Sequence, residues 1–175
     1  MKRPAIFLDR DGTLIEEVNY LSRVEDLRLF PFTKAAVQQF KTAGYVVVVV
    51  TNQSGIGRGI YTEADMHAIH DAIQTELDDT IDAFYFCPHL PCDGCSCRKP
   101  LTGMIETATR DLDIDLVKSW MIGDKCADVE AGQAAGVSTA LVLTGYGRVH
   151  RGMLNGRPEI IANDLGEAAA IIVAA

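Results

Sequence analysis

Two aspartates that stand two positions apart, Asp9 and Asp11, have the clearest chemical potential in this chain of 175 residues. They directly follow the apolar run Ala5–Leu8, and side chains two apart in extended backbone point the same way, so both carboxylates can face one pocket. One carboxylate can attack phosphorus and form an acyl phosphate, while the other protonates the departing oxygen and later deprotonates water. Paired carboxylates also attract a hard cation such as Mg²⁺. The same spacing fits a loop whose aspartates cap backbone N–H groups, so the pair needs support from elsewhere in the chain.

Polar segments suited to the same chemistry follow other apolar runs of the sequence. Thr51–Gly55 offers a hydroxyl and backbone donors for phosphoryl oxygens. Arg98 and Lys99 add two cations, and Asp124 adds a carboxylate with Asp128 one helical turn later. A pocket for a phosphate group and a metal ion is therefore predicted where these segments meet.

A second cluster contains cysteines and one histidine. Cys87 and His89 are separated from Cys95 and Cys97 by five residues, and together they offer three sulfurs and one imidazole. That donor set is typical of a closed, structural, tetrahedral zinc site, which would fix the loop that precedes the two cations. Cys92 lies inside the same loop and is interpreted as the residue left out of the site. Buried thiols without a metal are the alternative.

Composition and charge restrict the class of protein. The chain is 48% hydrophobic and carries a formal charge of -8, which is typical of a globular domain that does not bind nucleic acid or anionic membranes. Its first apolar run is too short for a signal peptide or a membrane span. We therefore expect a cytoplasmic protein, one domain over residues 1–175 with a zinc loop at residues 87–97, monomeric, with a small-molecule partner.

Short apolar runs alternate with segments of helical periodicity along the chain. This alternation predicts an α/β fold, a doubly wound sandwich with a mainly parallel sheet, whose ligands bind beyond the carboxyl ends of the strands. The predicted strands are Ala5–Leu8, Tyr45–Val50, Ile81–Phe86, Ser119–Ile122 and Thr139–Leu143.

Five helices are predicted between and after these strands. Thr33, Thr62 and Asp164 are each predicted to cap the beginning of a helix. Thr102 begins another helix, and Cys126–Gly136 is predicted to be helical as well.

Taken in order, the polar motifs resemble those of the haloacid dehalogenase-like phosphatases. The matching residues, between about residue 5 and residue 145, are Asp9-x-Asp11-Gly12-Thr13, Thr51-Asn52, Lys99-Pro100, and Gly123-Asp124 with Asp128. The resemblance implies a Rossmann-like fold without a large cap domain.

The same resemblance implies a role for each matching residue. Asp9 would be the nucleophile and Asp11 the general acid and base, while Thr51 and Lys99 would stabilise the phosphoryl group. Mg²⁺ would be held by the carboxylates of Asp9 and Asp124 and by the backbone carbonyl of Asp11, with Asp128 in support.

Within that superfamily the zinc loop narrows the resemblance to two groups. Gln53–Gly59 and Gly123–Lys125 are similar to the phosphatases of D-glycero-D-manno-heptose 1,7-bisphosphate, which implies removal of the 7-phosphate in the synthesis of heptose precursors for bacterial surface glycans such as the lipopolysaccharide core. The histidinol-phosphate phosphatases share the zinc loop and remain the alternative. A non-catalytic protein that binds a sugar phosphate is the alternative from another class, although it would not require both Asp9 and Asp11.

A bisphosphate substrate requires a second site for an anion. Arg98 is the best candidate because Lys99 beside it is assigned to the transferring phosphate, and Arg58 and Lys125 are the others. The segment Glu17–Tyr20 is expected to meet the sugar. The full set of predicted substrate-binding residues is Arg10, Glu17, Val18, Asn19, Tyr20, Asn52, Gln53, Ser54, Arg98 and Lys125.

Two histidines on the second predicted helix, His67 and His70, have no acidic or cysteine partner in register. They are interpreted as surface residues rather than ligands. Gly55–Gly59 lacks the spacing of a dinucleotide-binding loop and is interpreted as a turn. Cys126 is interpreted as a small residue for helix packing.

Overall fold

The structure is a computed structural model that describes residues 2–175, and its centre is a six-stranded, all-parallel sheet. The strands are β1 (Ala5–Leu8), β2 (Val46–Asn52), β3 (Ala83–Cys87), β4 (Trp120–Gly123), β5 (Ser138–Val142) and β6 (Ile160–Ala162). The helices are α1 (Thr33–Thr42), α2 (Ser54–Gly57), α3 (Glu63–Glu76), α4 (Gly103–Leu112), α5 (Cys126–Ala135), α6 (Gly147–Arg151) and α7 (Leu165–Ala174). Among residues 2–175, every helix is too short or too polar to span a bilayer.

The strand order is β3-β2-β1-β4-β5-β6, so the side on which successive strands are added changes at β1, although all strands remain parallel. The chain moves outward from β1 to β3 and then crosses back to place β4 on the other side of β1. Leu8 is in register with Ile122, and the backbone N–H of Asp9 donates to the carbonyl of Ile122 at 3.0 Å. A reversal of this kind opens a crevice beyond the carboxyl ends of the two central strands, where ligands of such folds bind.

Both faces of the sheet are covered, which explains why the strand sequences are continuous apolar runs. Ile6 and Leu8 of β1 pack on the face that carries α1, α3 and α7, while Ala5 and Phe7 pack on the face that carries α4 and α5. The predicted fold class is confirmed, and the five predicted strands are present, the first with the predicted ends and the other four with ends shifted by one or two residues. The sequence did not predict β6, α2 or α6, because runs of three to five residues are too short to show a period.

Two of the predicted helix caps are confirmed. Thr62 forms a reciprocal capping box with Asp65 at the beginning of α3: its hydroxyl accepts from the Asp65 N–H at 3.2 Å, and the Asp65 carboxylate accepts from the Thr62 N–H at 2.8 Å. The carboxylate of Asp164 accepts from the N–H of Glu167 at 2.9 Å at the beginning of α7. Both helices therefore begin where the sequence predicted.

The predicted capping role of Thr33 is wrong. Thr33 is the first residue of α1, whose N-cap is Phe32, and no side chain caps that end. The Thr33 hydroxyl is fully buried and donates to the carbonyl of Leu14 at 2.6 Å. A buried carbonyl needs a donor, and this tertiary bond takes the hydroxyl away from the helix end.

Candidate active site

A cleft of about 290 Å³ lies at the carboxyl ends of the central strands. Most of the predicted site residues line it, namely Asp9, Arg10, Asp11, Glu17, Asn19, Tyr20, Asn52, Gln53, Ser54, Arg98, Lys99 and Lys125. Thr51 and Asp124 are fully buried and are not part of the cleft lining, and Val18 is 41% exposed and lines a neighbouring depression instead. The tertiary fold thus brings four separate sequence motifs to one place.

Four residues line the cleft without having been predicted, namely Leu21, Tyr61, Ala127 and Tyr146. Tyr146 comes shortly after β5, and its position beyond the end of a strand could have identified it. Tyr61 precedes α3 and carries no comparable signal in the sequence.

The Asp9 carboxylate is buried and bound by a lysine. Lys99 Nζ donates to Asp9 Oδ1 at 2.9 Å, to Asp128 Oδ1 at 2.7 Å and to the carbonyl of Val50 at 2.8 Å, so all its hydrogens have acceptors in the protein. Burial alone would disfavour a charged carboxylate, but the Lys99 ammonium holds the pKa of Asp9 below its ordinary value. Asp9 is therefore ionised, and Lys99 binds one of its oxygens.

The Asp9 carboxylate of this ion pair lies close to two further carboxylates. Oxygen atoms of Asp9, Asp124 and Asp128 all lie within 4.8 Å of one another. Asp124 Oδ1 is buried without a hydrogen-bond partner among residues 2–175, and burial together with the charge of Asp9 raises the pKa of Asp124 to about 8. Crowded carboxylates with a free buried oxygen fit a hard divalent cation such as Mg²⁺.

Two glycines make room for the Asp124 carboxylate. Gly12 and Gly145 both have positive φ, +83° and +52°, and a Cβ on either would lie 2.3 Å from Asp124 Oδ2. Steric space therefore explains why the Asp-x-Asp-Gly motif has a glycine at position 12, because any side chain there would displace the Asp124 carboxylate.

The Asp11 carboxylate is held by neighbouring donors in the cleft. The guanidinium of Arg10 donates to both of its oxygens, Nε to Oδ2 at 3.0 Å and Nη2 to Oδ1 at 3.1 Å. Gln53 Nε2 donates to Asp11 Oδ2 at 3.0 Å. Arg10, predicted to bind substrate, lines the cleft, and its guanidinium donates to protein acceptors there.

The end of β2 supplies two positioning contacts. Gln53 Nε2 also donates to Thr51 Oγ1 at 2.8 Å, so the Thr51 hydroxyl keeps its own hydrogen for another acceptor. The Asn52 side chain accepts from the Lys99 N–H at 3.0 Å and donates to the Lys99 carbonyl at 3.1 Å. Asn52, predicted to contact substrate, thereby fixes the backbone of Lys99.

The four predicted zinc ligands converge in the loop after β3. Cys87 Sγ lies 3.0 Å from Cys97 Sγ and 3.6 Å from Cys95 Sγ, and His89 Nδ1 lies 3.4 Å from Cys87 Sγ and 3.2 Å from Cys97 Sγ. Donors of a tetrahedral zinc ion with sulfur and nitrogen ligands are separated by roughly 3.4 to 3.8 Å. Two of the four separations lie in that range and two are shorter, and the donor set of three sulfurs and one imidazole fits zinc. Cys92 is exposed and outside the cluster.

Arg98 carries a free positive charge into the cleft. It follows the zinc loop directly, is half-buried, and its Nη1 donates to the carbonyl of His89 at 3.3 Å. It forms no ion pair with any residue from 2 to 175, whereas Lys125 Nζ lies 3.5 Å from Glu17. Arg58 lies outside the cleft, with its guanidinium 6.0 Å from the Tyr20 ring centre.

The interpretation of His70 as a surface residue is wrong. His70 is only 4% exposed and lies 3.3 Å from Arg10 through its Nε2, whereas His67 is exposed as expected. His70 shares the buried face of α3 with Met66, four residues earlier, so its helical spacing was a signal of burial. It therefore belongs to the residues around the cleft that sequence reasoning missed.

Comparisons with known proteins agree with this geometry. Residues 96–168 match the model of the HAD-hydrolase-like family. The D-glycero-D-manno-heptose-1,7-bisphosphate 7-phosphatase of Thermosynechococcus vestitus is 42% identical over 185 residues, covering 96% of this chain and 94% of that protein. The D-glycero-beta-D-manno-heptose-1,7-bisphosphate 7-phosphatase of Haemophilus ducreyi is 40% identical over 157 residues, covering 83% and 86%. A crystal structure of D,D-heptose 1,7-bisphosphate phosphatase from B. bronchiseptica, complexed with magnesium and phosphate, matches with a TM-score of 0.90 and 35% identity over 98% of each chain.

The fold, the cleft and these relatives together define the protein as a phosphatase of the haloacid dehalogenase-like class. Within that class, the chain belongs to the D-glycero-D-manno-heptose-1,7-bisphosphate 7-phosphatase family. The resemblance that the motifs indicated is thereby confirmed.

Proposed function

We propose that this phosphatase removes the 7-phosphate of D-glycero-D-manno-heptose 1,7-bisphosphate through an aspartyl-phosphate on Asp9, as a step in making heptose precursors for bacterial surface glycans. The observation that carries the proposal is one cleft that holds an ionised Asp9 bound to Lys99 and, beside them, the unpaired guanidinium of Arg98. Asp9 and Lys99 would act on the phosphate that is cleaved, and Arg98 would bind the phosphate that remains. The activity of the relatives, which act on a bisphosphate, supports the same substrate.

The chemistry follows from the position of each side chain. The Asp9 oxygen that Lys99 does not hold attacks phosphorus, and the bond from phosphorus to the sugar oxygen breaks. Asp11 gives a proton to that oxygen and then takes one from the water that hydrolyses the acyl phosphate. Lys99 lies beside the attacking carboxylate, so its charge, with the free hydrogen of Thr51, stabilises the transferring oxygens.

Two metal ions complete the proposal. The carboxylates of Asp9 and Asp124 and the backbone carbonyl of Asp11 would hold Mg²⁺, and Asp128 supports them through Lys99. When bound, Mg²⁺ neutralises charge on the transferring phosphoryl group. The B. bronchiseptica structure, which is complexed with magnesium and phosphate, supports Mg²⁺ as the cation. Zinc would be held by four ligands, Cys87, His89, Cys95 and Cys97, and would have a structural role.

We also propose that the protein acts in the cytoplasm on a small molecule and without a nucleic acid or membrane partner. The net charge of -8 opposes binding to polyanions, and none of the five cysteines, all of which lie within residues 2–175, forms a disulfide, as expected in a reducing compartment. A monomer remains the prediction for its oligomeric state.

The substrate is tested by comparing kcat/KM for heptose 1,7-bisphosphate and for histidinol phosphate. We expect the bisphosphate to be preferred by about a hundredfold or more, because only this substrate offers a second anion to Arg98. Similar values for the two substrates, or a preference for histidinol phosphate, would show that the cleft is not built for a bisphosphate.

Arg98→Ala is expected to raise KM for the bisphosphate by roughly ten- to a hundredfold, the scale of a charge-assisted hydrogen bond, with a smaller effect on kcat. KM for a monophosphate without the distal group should change far less. Arg110→Ala removes an exposed arginine that does not line the cleft and is the matched control. An equal penalty on both substrates would place Arg98 at the cleaved phosphate or in the fold instead.

Asp11→Asn is expected to lower kcat/KM by about 10² to 10⁴ for sugar phosphates, since an amide cannot protonate a poor leaving group. The loss should be much smaller for 4-nitrophenyl phosphate, whose leaving group needs no proton. Because kcat/KM reports the formation of the aspartyl-phosphate, the comparison isolates the acid step. Equal losses on the two substrates would contradict the assignment of Asp11.

A further inference from the structure

A buried histidine reaches the active site from behind the cleft. His70, on α3, places its Nε2 at 3.3 Å from Nη1 of Arg10, and Arg10 is only 1% exposed. His70 does not line the cleft and so does not meet the substrate. Whatever His70 contributes to the reaction must therefore pass through Arg10.

The N–H donors of Arg10 determine which ring nitrogen of His70 carries a proton. A guanidinium can only donate, so the His70 Nε2 that faces it is an acceptor and carries no proton. The ring is then neutral, with its hydrogen on Nδ1. Burial and the positive charge of Arg10 lower the pKa of His70 to about 3, which agrees with a neutral ring.

The other contacts of Arg10 direct it at one carboxylate. Nε and Nη2 both bond to Asp11, and Nη2 also donates to Gln53 Oε1 at 3.1 Å. The hydroxyl of Tyr61 donates to the same Gln53 oxygen, which fixes the orientation of the amide and therefore its bond to Asp11. His70 binds the remaining terminal nitrogen, so each nitrogen of the guanidinium has an acceptor.

The ring of His70 is itself fixed by packing. It stacks on Phe84 of β3, with ring centres 4.5 Å apart and an angle of 19° between the ring planes. A stacked aromatic pair restricts rotation of the ring about its side chain. The acceptor that meets Arg10 is thus held by a strand of the central sheet.

We propose that His70 is a positioning residue for the reaction: by accepting from Arg10 it fixes the guanidinium that aims the Asp11 carboxylate into the cleft. This inference rests on the proposed role of Asp11 as the general acid. A general acid must lie within hydrogen-bond reach of the leaving oxygen, and a shift of about 1 Å can cost a hundredfold in rate. Without the acceptor, one N–H of a buried guanidinium has no partner, and Arg10 turns toward another acceptor and takes Asp11 with it.

His70→Phe keeps a ring on Phe84 but removes the acceptor, and His70→Gln keeps an acceptor oxygen. We expect His70→Phe to lower kcat/KM for the bisphosphate by about ten- to a hundredfold, mainly through kcat. The kcat/KM for 4-nitrophenyl phosphate should change by less than about threefold. His70→Gln should recover to within about threefold of the wild type, and the exposed His67→Phe on the same helix should resemble the wild type.

A role limited to the fold would lower activity on both substrates equally, and His70→Gln would not restore it. Unchanged kinetics of His70→Phe on the bisphosphate, or a loss equal on the two substrates, would overturn the proposal. The effect of His70→Phe on kcat/KM, measured again in an Asp11→Asn background, separates the positioning role of His70 from the proposed role of Asp11. If Asp11 is the acid and His70 acts through it, the two losses are not additive, and His70→Phe costs little in that background.

The double-mutant cycle of His70→Phe and Asp11→Asn distinguishes failure of the positioning role from failure of the proposed function. A leaving-group-dependent loss in Asp11→Asn with additive effects of His70→Phe would refute the positioning role and leave the proposed function in place. No leaving-group dependence in Asp11→Asn would refute the proposed role of Asp11 itself.

The tautomer of His70 provides a test in the wild-type protein, which is needed if His70→Phe does not fold. Long-range ¹H–¹⁵N NMR spectra of the metal-loaded enzyme at neutral pH should show His70 with a proton on Nδ1 and none on Nε2. A proton on Nε2 would be incompatible with acceptance from Arg10 and would overturn the proposal.

Discussion

Asp9→Asn is expected to abolish turnover, with a loss of more than about 10⁴-fold in kcat, while the protein stays folded. An amide cannot form the acyl phosphate, and no other carboxylate has the same position after β1. The fold should tolerate the change because Lys99 keeps its bonds to Asp128 and to the carbonyl of Val50. Initial rates on the bisphosphate and circular dichroism of the same preparation measure the two halves of this prediction.

The control for Asp9→Asn is Asp71→Asn, which changes an exposed aspartate on α3 and should retain wild-type activity. Mass spectrometry of wild-type protein quenched in acid during turnover should reveal a phosphate on Asp9, and Asp9→Asn should lack it. A well-folded Asp9→Asn variant with substantial activity would disprove the nucleophile assignment.

Cys97→Ser is expected to remove zinc and to lower both stability and activity. Binding of a structural zinc ion contributes about 10 kcal/mol or more in small domains, and a part of that, about 2 kcal/mol or more, should be lost from the free energy of unfolding here. Activity should fall as well, because the loop precedes Arg98 directly and holds it through the carbonyl of His89. Elemental analysis, denaturant unfolding and kinetics on one preparation provide the three measurements.

Cys92→Ser is the matched control for that experiment, since Cys92 belongs to the same loop but is exposed and outside the cluster. Its zinc content, about one ion per chain in protein supplied only with magnesium, should equal that of the wild type. Zinc lost from Cys92→Ser would show that the ligand set is wrong. Wild-type protein without zinc would refute the site altogether.

The sequence alone was sufficient for the main architecture and for the motifs of the site. Continuous apolar runs such as Val46–Val50 identify strands that are buried on both faces, and their alternation with helical segments identifies a parallel sheet. Since all parallel strands end at one edge, polar residues after several strands were predicted to meet, and Asp9 and Asp124 do. The zinc cluster was predictable for a similar reason, because Cys87 to Cys97 are close in sequence and a short loop can bring them together.

Only the tertiary structure decided which groups pair with one another. Thr33 was expected to cap its own helix, but a carbonyl 19 residues earlier, that of Leu14, takes its hydroxyl. Arg10 lines the cleft as predicted, but the sequence did not indicate its partners, which are Asp11 beside it in sequence and His70 at a separation of 60 residues. Local patterns record how a segment alternates between apolar and polar positions, so they determine strands, helices and the edge at which strands end. The partner of a buried polar group depends on which distant segment the fold places beside it, and a single sequence carries no direct signal of that distance.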